Sequence, residues 1–304
     1  MKPWTRFGVV PVLAATLCAS GGRAQEQPDS VAVRSVLTYR AFGNPQRVTI
    51  RGYDGDAMEP FITKDGRFLL FNNRNDPRIN TNLHFAARVE DLTFDYRGEI
   101  TGVNTAALEG VPSVDRSGNL FFISTRSYKE TLSTLYRGRW NDGGAADVQL
   151  VAGVSRRQPG MVTFDAEIAA DGNTLFLVDG RFSGGDVPET ADIAIAVRDG
   201  TAFQRLPPES GLLKNVNTGA LEYAPAVSSD LLELFFTRID LSGGLKMPVI
   251  FRAARGSTEA PFGMPEQLSS ISGFVEAPAL SSDGRSLYFH KREGGRFVIL
   301  RLTR

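Results

Sequence analysis

The stretch MEPFITKDGRFLLFNN (residues 58–73) returns near the end of the chain as EAPALSSDGRSLYFHK (residues 276–291). Each is a hairpin in outline. Proline opens a strand, where its missing N–H costs least. An Asp-Gly pair makes a tight turn, because glycine accepts positive φ without strain. A continuous apolar run follows, the pattern of a strand buried on both faces. Three further copies lie between them: GVPSVDRSGNLFFI from Gly110, FDAEIAADGNTLFL from Phe164 and YAPAVSSDLLELFF from Tyr223. Pro60, Pro112, Ala166, Pro225 and Pro278 mark the same position in all of them. The copies recur every 50 to 60 residues or so, about the length of a propeller repeat. In the fourth copy Asp230-Leu231 replaces Asp-Gly. Leucine disfavours positive φ, so a different turn geometry is expected there.

A third strand follows each hairpin and carries an arginine at its end: LHFAAR to Arg88, STLYR to Arg137, IAIAVR to Arg198, PVIFR to Arg252 and FVILR to Arg301. A weaker fourth strand is expected at GEITGV, DVQLVAGV, FQRL and PEQLSSI. The last copy has none before Arg304, but GNPQRVTIRGYDGDAMEP from Gly43 is similar to GMPEQLSSISGFVEAP from Gly263. A strand around residues 46–50 is therefore expected to pair with residues 297–301 and supply the missing one. The predicted fold is all-β: a five-bladed β-propeller of four-stranded antiparallel blades over residues 43–304, closed by an N-terminal strand that joins the C-terminal blade. Residues 25–42 form an N-terminal extension, read either as a loose terminus or as a strand laid on an edge.

Composition agrees. The chain has 304 residues with 31 glycines, 16 prolines and 20 phenylalanines, the mixture of many short strands and tight turns. Lysine plus arginine and aspartate plus glutamate stand at 34 each, with no basic stripe, so nothing points to nucleic acid. Lys2 and Arg6 precede an apolar run that ends in small residues up to Ala24. That is the outline of a secretory signal peptide, residues 1–24, and it predicts a periplasmic or secreted protein. A lipoprotein anchored at Cys18, the only cysteine, is the competing reading, which the bulky Leu17 disfavours. The apolar run is too short to span a membrane, and no later segment qualifies. Without Cys18 the mature chain has no thiol chemistry and must rely on its core.

The motif Pro, Ser/Thr-x-Asp-Gly, aromatic-rich strand and Arg resembles the TolB-type, WD40-like β-propeller repeat of exported bacterial proteins. The resemblance covers residues 45–304. It implies the fold and export and gives no residue a function. TolB has six blades and a separate N-terminal domain, neither of which is found here, so its role is not carried over.

Acidic residues gather where the inner strands begin: Glu59, Glu109, Asp165 with Glu167, Glu222 and Glu276. As a ring at a channel mouth they offer a cation site or a general acid–base pair. They equally suit ion pairs with the arginines that end the second strands, Arg74, Arg126, Arg181, Arg238 and Arg292. A feature present in every repeat belongs more naturally to the scaffold, whereas catalysis needs a few groups in unequal environments. No catalytic residue, metal ligand or cofactor is assigned. The expected role is binding of an envelope protein or polysaccharide without chemistry. The alternative is a carbohydrate-active hydrolase or lyase, a fold-level analogy with five-bladed glycosidases that needs two carboxyls about 5–9.5 Å apart. Against it, Trp140 is the only tryptophan beyond the signal segment to serve as a sugar platform. His84 and His290 sit in strand patterns on different repeats and read as hydrogen-bonded strand residues. YDGD (residues 53–56) and GRFSGGDVPET (residues 180–190) hold oxygen ligands without the spacing of a calcium loop. GRFSGGDVPET and NNRNDPRINTN (residues 72–82) are long polar loops of single repeats, expected as contact surfaces or else as plain solvated loops. No phosphate loop and no Gly-x-Ser-x-Gly elbow occurs.

Overall fold

The computed structural model describes residues 39–75, 80–185, 187–242 and 247–304. The expected signal segment, Cys18 and residues 25–38 of the expected extension lie outside the described residues. So do parts of the loops at 72–82 and 180–190. The described chain is all-β, built of antiparallel sheets in the manner of a propeller.

Each repeated hairpin becomes the inner two strands of a sheet. The innermost strands are Met58–Ile62, Glu109–Val114, Met161–Ile168, Leu221–Val227 and Val275–Leu280. The second strands are the apolar runs, and Phe68–Asn72 is buried at every position. Third strands follow at Leu83–Arg88, Leu135–Trp140, Thr190–Asp199, Val249–Ala254 and Arg296–Thr303. The outer strands are Thr93–Glu99, Ala145–Leu150, Ala202–Arg205 and Glu266–Gln267. GEITGV is thus read too late, since its strand starts at Thr93 and ends at Glu99.

The last sheet takes its outer strand from the other end of the chain. Gly43–Arg47 pairs antiparallel with Arg296–Thr303, matching Gln46 to Arg301 and Arg47 to Leu300. The single strand expected over residues 46–50 is in fact split. Val48 donates to Ile299 O at 2.9 Å, and the chain then crosses over so that Thr49–Arg51 pairs parallel with Thr93–Glu99 of the first sheet. Arg301 braces the join through Asp91 and Gln46. Phe42, the end of the extension, is buried edge-on against Phe235 at 5.6 Å.

The innermost strands touch in succession along the sequence, and Val275–Leu280 touches Met58–Ile62. Apolar clusters fill the wedges between neighbouring sheets, such as Leu70, Phe85, Leu120 and Phe122 between the first and second. In every hairpin an arginine clamps a turn carbonyl: Arg88 to Gly66 (2.7 Å), Arg139 to Ser117 (2.8 Å), Arg198 to Gly172 (2.8 Å), Arg255 to Leu231 (2.8 Å) and Arg304 to Gly284 (2.7 Å). The clamp accounts for the third-strand arginine in two repeats, Arg88 and Arg198. In the other three it falls to Arg139, Arg255 and Arg304 rather than Arg137, Arg252 and Arg301, of which Arg252 binds Glu233 and Arg301 binds Asp91. The turn at Leu231 also corrects the sequence reading. Leu231 takes φ 63°, the left-handed conformation its glycine counterparts adopt. Asp230 and Ser228 hold that turn by accepting the backbone N–H of Leu232.

Candidate functional site

Four of the innermost strands carry a residue at positive φ just before the proline: Glu59 (49°), Val111 (55°), Ala224 (49°) and Ala277 (54°). The strand register slips at this point in those four hairpins, and in the third it slips one residue earlier, between Thr163 and Asp165. Such a bulge re-aims a side chain and frees a backbone N–H. In four sheets that N–H is taken by a side chain of the preceding sheet. Val111 donates to Asn72 Oδ1 (3.1 Å), Ala277 to Thr237 Oγ1 (3.0 Å) and Glu59 to His290 Nδ1 (3.2 Å), while Ala224 donates to the Asp165 carboxyl. His290 therefore occupies the same anchoring place as Asn72 and Thr237.

Glu59, Val111, Asp165, Ala224 and Ala277 line a narrow passage together with Pro60, Pro112, Pro225 and Pro278. Its free space is about 20 Å³, room for roughly one water. Farther along it Lys64 Nζ meets Glu167 Oε1 at 3.5 Å, with both side chains buried. Only two of the five bulge positions are acidic, so the lining is chemically lopsided.

The five sequence-predicted acids separate into two groups. Glu109 and Glu222 are scaffold. Glu109 is wholly buried and binds Arg126 (3.2 Å), Ser124 (2.7 Å) and Thr105 (2.8 Å). Glu222 is equally buried and binds Arg238 (2.7 Å) and Thr218 (2.6 Å). Here the ion-pair reading of the second-strand arginines holds. A second repeat missed by the sequence reading underlies it: Val-Asn-Thr-x-Ala-Leu-Glu at residues 103–109 and 216–222. Asn104 and Asn217 of those motifs each bond both backbone groups of one residue, Leu83 and Ile193.

Glu59, Asp165 and Glu276 form the other group, and for these the ion-pair reading fails. Arg74 pairs with Asp56 (2.9 Å) rather than Glu59, Arg181 is exposed, and Arg292 lies over the Phe297 ring. Both Glu276 oxygens accept hydrogen bonds, Oε1 from the Tyr223 hydroxyl and Oε2 from His290 Nε2 at 3.0 Å. That is the bonding pattern of a carboxylate. Since His290 Nδ1 accepts the Glu59 N–H, the ring proton in this arrangement sits on Nε2. Burial works to lower the His290 pKa, but the Glu276 hydrogen bond and the charges of Glu59 and Glu276 outweigh it and raise the pKa. Burial pushes Glu59 up to about 8, aided by Asp165 and Glu276 and opposed by His290 and by Asn75, which donates to Oε1 at 3.3 Å. Burial likewise pushes Asp165 up to about 8, with Glu167 and Glu276 adding to the effect against the Ala224 and Ala166 N–H groups. Tyr223 is pushed well above its ordinary value, first by burial and then by Glu276.

Beside Glu276 opens a cavity of about 270 Å³ walled by Phe164, Phe182, Tyr223, Ile239 and Phe274. Phe164 and Phe182 meet edge to face at 5.7 Å. These rings are half-buried at the cavity wall, whereas Trp140 packs edge-on against Phe68 and Phe85. Their signal was the residue two before the proline position, which is Phe164, Tyr223 and Glu276 in the last three copies. His84 is elsewhere, bonded to Tyr96 at 2.8 Å and stacked on Phe71. Among the described residues no three acidic, histidine or cysteine side chains converge as metal ligands, and no helix is long and apolar enough to cross a membrane.

No family profile and no curated protein sequence matches the chain. Solved structures do. One described as a glycoside hydrolase aligns over 86% of this chain and 91% of its own, with a TM-score of 0.59 and 11% identity. The arabinanase of Bacillus subtilis aligns over 86% and 96%, with a TM-score of 0.54 and 15% identity. TolB of Acinetobacter baumannii aligns over 82% of this chain at 14% identity and a TM-score of 0.47, and the chain spans 55% of that protein's length. At such identities the likeness to the glycoside hydrolase and the arabinanase is one of fold. TolB-type propellers and glycoside hydrolases both stand among the neighbours.

Proposed function

We propose that the chain is an exported, five-bladed β-propeller that serves the cell envelope as a binding module, capturing an envelope protein or polysaccharide at the channel mouth beside Glu276. Five hairpin repeats, the pairing of Gly43–Arg47 with the last sheet and the cyclic succession of inner strands support the blade number and the closure. The signal-like residues 1–24 and the TolB-type repeat support export, with cleavage after Ala24 favoured over a lipid anchor at Cys18. The observation that carries the binding reading is the aromatic cavity ending on Glu276. It is an apolar recess with a few placed polar groups, as ligand sites usually are. The test is capture from separated protein and polysaccharide fractions of the envelope by the immobilised chain. Phe182→Ala and Glu276→Gln should lose the captured component at a temperature where each variant is still folded. Retention of full capture by both variants removes the mouth from the account.

One observation favours a second reading, a carbohydrate-active hydrolase or lyase. Burial raises the pKa of two carboxyls of the passage, Glu59 and Asp165, to about 8. A carboxyl raised in this way is what general acid catalysis uses. Turnover of a glycan panel, abolished by Glu59→Gln or Asp165→Asn without loss of fold, would establish it. Absence of turnover across the panel leaves the binding module.

A further inference from the structure

We infer that the cavity beside Glu276 takes an amphiphilic organic cation, an aryl- or alkylammonium whose apolar body lies among Phe164, Phe182 and Phe274 and whose charged nitrogen faces Glu276. The inference rests on the mouth being the binding site and adds the chemistry of its occupant. The walls are ring carbons and aliphatic side chains, and aromatic faces attract cations through their quadrupole. The pocket ends on a carboxylate whose side chain keeps 13% of its surface exposed. The groups bonded to Glu276 are the Tyr223 phenol, which brings no positive charge, and the His290 imidazole, which donates from Nε2 while its Nδ1 accepts the Glu59 N–H. Among the described residues no lysine or arginine forms an ion pair with Glu276, Glu59 or Asp165. A neutral ligand filling the cavity would strip water from Glu276 and return no countercharge, which is costly. A metal ion is the poorer candidate, because among the described residues no three carboxyl or imidazole side chains converge as ligands and the walls are apolar. The rings are also built in. A Cβ added at Gly180 would stand 2.7 Å from Phe164 Cε1 and 3.0 Å from Phe182 Cε2. Glycine thus lets both rings close against the strand.

The test is calorimetric titration of the whole mature chain with 2-phenylethylamine, against 2-phenylethanol as the uncharged counterpart. The ammonium should bind about tenfold or more tighter than the alcohol, the factor expected of a desolvated cation over rings and a carboxylate. Glu276→Gln should erase the preference, and Phe182→Ala should weaken both ligands. Should Glu276→Gln fail to fold, Tyr223→Phe keeps the carboxylate and must keep the preference, while Phe182→Ala must still lower affinity. Equal binding of amine and alcohol, no binding of either, or amine binding indifferent to both Glu276→Gln and Phe182→Ala overturns the inference. The two failures differ. If Phe182→Ala abolishes envelope capture while the parent shows no preference for the amine, the mouth stands and only the cation falls. If capture ignores Phe182→Ala, the binding reading falls as well.

Discussion

His290 donates from Nε2 to Glu276 at 3.0 Å and accepts the Glu59 backbone N–H on Nδ1 at 3.2 Å. One buried imidazole thus ties the last repeat to the first and orients the carboxylate that faces the aromatic cavity. The first task is the one Asn72 and Thr237 perform between other sheets, and the second is its own. His290→Asn should keep an acceptor for the Glu59 N–H and hold most of the stability. His290→Leu should cost about 1–3 kcal/mol, because it leaves a buried donor and a carboxylate oxygen unsatisfied. Equal denaturation midpoints for the two variants would show that the anchor carries no weight.

Glu109 and Glu222 are expected to behave as scaffold. Glu222→Gln leaves the Arg238 guanidinium without its carboxylate in a largely buried place. Loss of one partner of such a pair costs about 3 kcal/mol or more. Glu109→Gln should act similarly through Arg126. Neither change should alter ligand capture once temperature is adjusted to keep the chain folded. A Glu222→Gln chain as stable as the parent but unable to capture would reverse the assignment.

That division marks what could be read from the letters. The hairpins were legible because proline, Asp-Gly and the apolar run each answer a local requirement of backbone conformation or burial. The borrowed strand was legible because Gly43 onward repeats Gly263 onward. The partners of the acids were not. Glu109 and Glu222 stand three residues before the proline position, Glu276 two, and Glu59 and Asp165 one. Side chains alternate across a strand, so one step moves a group to the other face. A bulge at that place shifts the count again. Grouping five acids by nearness in sequence therefore merged buried ion pairs with mouth-lining carboxyls. The repeated Val-Asn-Thr-x-Ala-Leu-Glu motif would have set Glu109 and Glu222 apart.

The join between the ends of the chain has a direct test. Val48 is buried and donates to Ile299 O at 2.9 Å, and proline there removes the donor. Val48→Pro should cost about 1–3 kcal/mol beyond Val48→Ala, the penalty for an orphaned carbonyl. It should also loosen Gly43–Arg47 from the last sheet and bare the edge of Arg296–Thr303. Bare edges self-associate, so size-exclusion chromatography should show higher species for Val48→Pro and the parent's elution volume for Val48→Ala. Identical profiles and midpoints would mean that the pairing contributes nothing to closure.

Gly66 isolates the cost of the hairpin turn. It sits at φ +74° with open space where a Cβ would stand, so Gly66→Ala changes little but backbone strain. The expected loss is about 1 kcal/mol. A midpoint unchanged from the parent would show that the turn relaxes to another geometry.

The mouth should leave its signature in the dependence of stability on pH. Glu59 and Asp165 ionise near their ordinary values of 4.5 and 3.8 when unfolded, and near 8 when folded. Between those limits the folded chain holds more protons than the unfolded one, so stability falls as pH rises. The loss begins as the unfolded carboxyls ionise and is complete once pH has passed the folded values. This runs opposite to the usual carboxylate, whose native pKa is depressed and whose contribution is lost in acid. The parent should therefore lose melting temperature between about pH 5 and pH 8, and Asp165→Asn should flatten that slope by removing one titrating group. Glu59→Gln should do the same while keeping its backbone bond to His290, which does not involve the side chain. Parallel pH profiles for the parent and both variants would mean that these carboxyls are already ionised in the folded protein. The acid half of the hydrolase reading would then have no proton to give.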